Sequence, residues 1–166
     1  MEFYMKLPRS KKEFTLFMAV ISVISVNIIA PLITCFETGF HLSVWAHTLT
    51  VIPFVWCSVI AVVLLTYKPA GWLTSKIVAE DDSFRAHIVV NILCSVLLMS
   101  VILTVVGTWI GSGEVSMEPI NMFFFKWPRN FSISLAVECL IAQPIARAVM
   151  YHLHCVTDAK KTGQML

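Results

Sequence analysis

Apolar residues gather in four long runs along this chain, at residues 14–34, 48–67, 87–110 and 131–153, with short polar connections between them. A helix needs about 20 predominantly apolar residues to cross the hydrocarbon core of a bilayer. Each run meets that length. Within them only Glu138 is a clear acid and only Arg147 a clear base. The pattern predicts an all-α polytopic membrane protein with four transmembrane helices. Residues 1–13 form a basic arm and residues 154–166 a polar tail, both expected in the cytoplasm, and 1–166 is a single membrane domain.

The connections are punctuated by turn and interface signals. Tyr67, Lys68 and Pro69 are expected to end the second span. Residues 71–78 are expected to form a short helix lying at the membrane surface. Glu80, Asp81, Asp82 and Ser83 read as a turn and a helix start. Gly111, Ser112, Gly113 and Glu114 mark an outer loop. The aromatic segment 120–127, INMFFFKW, suits the headgroup level, with the fourth span starting near Pro128. Pro53 and Pro128 are 75 residues apart, and so are Pro69 and Pro144. This spacing points to tandem duplication of a two-helix hairpin, as a parallel repeat about an axis along the membrane normal.

Composition narrows the class. The chain is 58% hydrophobic and 13% charged, with mean hydropathy +0.82, against about 25% charged in soluble domains. No polar stretch is long enough for a soluble catalytic domain, and no enzyme motif can be assembled, so no enzymatic activity and no cofactor are expected. A net charge of +2, confined to span ends, gives no footprint for nucleic acid. The five cysteines include no CxxC pair, and three lie inside spans, where they behave as small apolar residues. No signal peptide is expected, because the first run is too long for one. Ten of the twelve Lys and Arg residues fall on one side of the spans, and only Lys126 and Arg129 on the other. That asymmetry places both termini in the cytoplasm.

Candidate chemistry is sparse. Glu138 lies about 10 Å into the fourth run, at 1.5 Å per residue. A carboxylate there costs on the order of 2.5–3.5 kcal/mol by insertion scales, so it should face the bundle interior. It reads as a site of proton coupling or cation binding, or as a structural interhelix hydrogen bond. Asn27 matches it in depth and is the expected partner. Arg147 lies nearer the inner end, where its stem can snorkel, with Asn91 as a candidate partner. Gln143 and Pro144 break the helix locally, since proline removes a backbone donor. His152, His154 and Cys155 form an H-x-H-C cluster, but alternate residues on a helix point apart, and no metal is expected.

The segment 126–150, KWPRNFSISLAVECLIAQPIARAVM, closely resembles a bacterial membrane family catalogued as domain of unknown function 2798. The likeness rests on a W-x-R-N-F start (Trp127, Arg129, Asn130, Phe131) and a P-x-x-R exit (Pro144, Arg147). The opening LPRSKKEF, residues 7–14, also resembles that of Gram-positive members. The resemblance implies a bacterial plasma membrane and a paired-hairpin architecture, and brings no activity with it. In architecture the chain is also similar to small four-span efflux proteins of the proteobacterial antimicrobial-compound type, which carry their acid in the first helix of the pair rather than in the fourth span. Two functions therefore stand side by side. One is a small proton-coupled transporter or efflux protein, expected as a homodimer because four short helices enclose little volume. The other is a non-transporting membrane protein that stabilises a partner or the envelope.

Overall fold

The computed structural model describes residues 7–79 and 81–163, and the side chains of those up to 159. The readings made on Lys6, Glu80, the side chains of Lys160 and Lys161, and residues 164–166 lie outside them. Four long helical stretches account for nearly all of the described chain: α1 (Lys11–Thr38), α2 (Leu42–Ile77), α3 (Phe84–Ser112), and a fourth built in pieces. The pieces are α5 (Phe123–Val137), a π-helical segment (Glu138–Ala142) and α6 (Gln143–Gly163), preceded by a single turn, α4 (Glu118–Asn121). All four stretches are long and apolar enough to cross a membrane. About one fifth of each apolar window is buried within the chain. Residues such as Leu64, Leu65, Phe124 and Leu140 are left turned outward, as an integral membrane protein requires.

The helices outrun the apolar runs, so the connections are tighter than the sequence suggests. α1 stops where Gly39 takes φ +106°, a left-handed conformation that favours glycine. Its N–H donates to the Cys35 carbonyl at 2.9 Å, and α2 begins three residues later. Gly113, at φ +71°, ends α3 in the same way. Ser83 caps α3, its hydroxyl accepting from the Ala86 N–H at 3.2 Å.

Two expectations are corrected. The helix of the second span does not stop at Pro69 to leave a separate surface helix. α2 is continuous for 36 residues and carries both Pro53 and Pro69 inside it. Thr66, Ala70 and Thr74 flank Pro69 on the buried face, and Asn91 of α3 donates to the Thr74 hydroxyl at 3.2 Å. Packing on both sides of the proline outweighs the one backbone hydrogen bond it removes. Likewise the fourth helix does not start near Pro128. It includes the aromatic segment from Phe123 onward, where Phe123, Trp127 and Phe131 stack one turn apart, with centroids 5.8 and 5.9 Å apart.

By contacts the chain divides into two compact units. One runs to Ser25 and resumes at Glu138, and the other is Val26–Val137. In the second unit α2 and α3 form a hairpin. Its buried seam is made of small and hydroxyl residues: Val62, Thr66, Ala70 and Thr74 on α2, and Cys94, Val96, Ser100 and Thr104 on α3. Small residues let helices approach closely where lipid supplies no hydrophobic drive. The threonines return their hydroxyl protons to their own helix, Thr66 to Val62 and Thr74 to Ala70 at 2.8 Å each. In the first unit α1 meets α6 antiparallel. Phe17 and Ile21 pack on Ala142, Ala146 and Met150, the last three fully buried.

Candidate functional site

Glu138 stands at the first position of the π segment. The cause lies just downstream in sequence. Pro144 has no N–H to return to the preceding turn, and a stretch of i→i+5 bonding takes up the mismatch. Widening the turn also changes which side chains share a face. Gln143, five residues on, hydrogen-bonds the Glu138 carboxylate. From α1 the Ser25 hydroxyl donates to Glu138 Oε2 at 2.6 Å, and Ser25 is only 8% exposed. The acid, the hydroxyl and the amide form one polar group inside an otherwise apolar seam.

Ser25 is the residue that sequence reasoning missed. Matching depth favoured Asn27, whose side chain is exposed. A serine two positions earlier gave no separate signal, being one of two on the same helix. Asn91 is engaged by Thr74 as described. Arg147 is half-buried on α6.

Towards the arm and tail, the same two helices share a second polar contact. His154, 2% exposed, sits with Nε2 3.1 Å from Glu13 Oε2. Arg9 and Asp158 pair at 3.2 Å beside it. Ser10 caps α1 by accepting the Glu13 N–H at 3.2 Å, and the Arg9 N–H donates to the Glu13 carboxylate. Serine followed three residues later by glutamate is the capping-box spacing, legible in the sequence and overlooked. Glu13 lies one residue ahead of the apolar run. The Arg9 backbone donor first, and then His154, hold its carboxyl below the usual carboxylate range. His154 thus has a carboxylate partner, His152 is exposed, and no group of metal-ligating side chains occurs among the described residues.

The W-x-R-N-F residues organise the second unit. Trp127 Nε1 donates to the Ser100 hydroxyl at 3.0 Å. Asn130, 3% exposed, donates to the Thr104 hydroxyl at 3.3 Å and accepts from Arg129. Arg129 in turn reaches Glu37 at 2.8 Å, while Lys126 pairs with Glu118 at 2.8 Å and with Glu37 at 3.7 Å. Both basic residues of this end are therefore compensated by acids. Asn130 was singled out only by resemblance, and Trp127 by resemblance and as part of the aromatic segment; nothing in their spacing announced that they hold α5 to α3.

Chemically, the Ser25–Glu138–Gln143 group can hold a carboxylate by two donors, exchange a proton at a carboxyl oxygen, or offer oxygen ligands to a small cation. No protein-family model, no curated protein and no solved structure matches the chain.

Proposed function

We propose that this protein is a small membrane transporter in which Glu138 takes up and releases a proton, or exchanges it for a cation, as a substrate crosses. The observation that carries the reading is the position of Glu138. It heads a π segment within an apolar helix, and its carboxylate is held by Ser25 from a second helix. Ionisable groups inside a membrane helix are costly and mark ion or proton pathways, and π segments recur at functional sites. In this reading both termini face the cytoplasm and the working form is a homodimer.

The second reading, a non-transporting accessory protein, is favoured by one feature. The Ser25–Glu138 bond closes the α1–α6 seam in the manner of a structural interhelix hydrogen bond. A melting screen of the purified protein separates the two, using small cationic and anionic compounds across pH 5–9. Transport predicts compounds that raise the melting temperature of the wild type in a pH-dependent way and leave Glu138→Gln unmoved. Identical profiles for the two proteins support the accessory reading.

A further inference from the structure

One face of α2 changes character along its length. Ile60 and Leu64, both exposed, continue one turn at a time into Lys68, Trp72 and Lys76, all exposed. Steps of four residues keep these side chains on one stripe. The Lys76 Nζ lies 6.0 Å from the centre of the Trp72 ring, within cation–π range. Neither Lys68 nor Lys76 joins an ion pair among the described residues. Lys126 and Arg129, by contrast, are both engaged by carboxylates.

Length sets where the stripe falls. At 1.5 Å per residue, the 36 residues of α2 reach about 54 Å. A bilayer is about 30 Å thick in its hydrocarbon and about 40–45 Å with its headgroups. If the apolar run 48–67 fills the hydrocarbon, Lys68 lies at its edge, Trp72 about 6 Å further and Lys76 about 12 Å further. Trp72 then falls at the depth of the headgroups and of the aromatic belt, and Lys76 lies just beyond it, with its ammonium held 6.0 Å from the Trp72 ring. Among the described residues, the next acids along the chain are Asp81 and Asp82 beyond the helix end, and Asp82 already accepts the Ala79 N–H at 2.9 Å.

We infer that the Lys68–Trp72–Lys76 stripe binds the phosphate of an anionic phospholipid, whose acyl chain runs along Ile60 and Leu64. Two ammonium groups with no ion pair among the described residues flank the place a headgroup would occupy, and the indole fixes its height. The inference is independent of what Glu138 does.

The test is lipid competition on the full-length protein, solubilised with equal amounts of phosphatidylglycerol and phosphatidylcholine and read by native mass spectrometry. Wild type should retain the anionic lipid roughly 25-fold over the zwitterionic one, about fivefold for each lysine. The excess should fall about fivefold for each lysine removed in Lys68→Gln and Lys76→Gln, and Trp72→Ala should lower it as well. Lys11→Gln/Lys12→Gln, changing the exposed lysines at the start of α1, should leave most of the excess in place. High salt should erode it, since exposed charges are screened. Equal retention of the two lipids by wild type overturns the inference. So does an excess that survives Lys68→Gln/Lys76→Gln and disappears in Lys11→Gln/Lys12→Gln.

Discussion

Glu138 and Ser25 show what a single polar contact does in an apolar seam. Glu138→Ala leaves the nearly buried Ser25 hydroxyl without its acceptor. The expected loss is about 1–3 kcal/mol, measured by chemical or thermal unfolding in detergent. Glu138→Gln keeps an acceptor oxygen and should unfold close to wild type. Asn130→Ala should cost about 1–3 kcal/mol in the same measurement, because it strands the buried Thr104 hydroxyl and releases Arg129. For Glu13 the sign follows from its lowered folded-state pKa. Its contribution is present above the usual carboxylate pKa and is lost as pH falls through the lowered value. Glu13→Gln should therefore flatten the acid limb of a melting-temperature profile below about pH 4.5, the usual carboxylate range, and leave any change above neutrality in place. An unchanged acid limb would count against it. At this scale the sequence was partly readable. Glu138 announced itself by the cost of placing a carboxylate in hydrocarbon. Ser25 did not, because hydroxyls are cheap to bury in helices and so leave no mark.

Elements were readable in kind but not in their ends. Twenty apolar residues in a row admit little besides a helix in lipid, and all four runs became helices. Pro69 and Pro144 are alike in local terms, and each was expected to break its helix. α2 runs past Pro69 because Thr66, Ala70 and Thr74 are buried on either side of it, whereas Pro144 is preceded by a π segment. Which answer a proline receives depends on what the neighbouring turns pack against, and that is not a property of the local sequence. The seam of α6 offers a test. Ala142 and Ala146 are fully buried where Phe17 and Ile21 pack, so Ala146→Leu should overpack it and cost about 1–3 kcal/mol. The same substitution at the exposed Ala148 should be close to neutral. Equal effects at the two positions would mean that α1 does not rest on this face.

For the molecule as a whole, the distribution of basic residues gains a physical reading from the ion pairs. Lys126 and Arg129 are neutralised where they stand by Glu37 and Glu118. The exposed Lys11, Lys12, Lys68 and Lys76 have no acid in an ion pair with them among the described residues. Cytoplasmic placement of the arm and tail then predicts that cysteines introduced at Glu37 and Glu114 react with an impermeant reagent from outside intact cells, in a background lacking the native cysteines. Labelling only after permeabilisation would reverse the orientation. The joining of the chain's two ends also has a consequence in time. Ser25 and Glu138 are 113 residues apart in sequence, and at about 5–20 residues per second of synthesis the first waits on the order of ten seconds for the second to be made. Throughout that interval the seam face of the first helix lacks the partner it has in the finished chain. A chain cut short before residue 138 has three apolar helices and no partner for the seam face of the first.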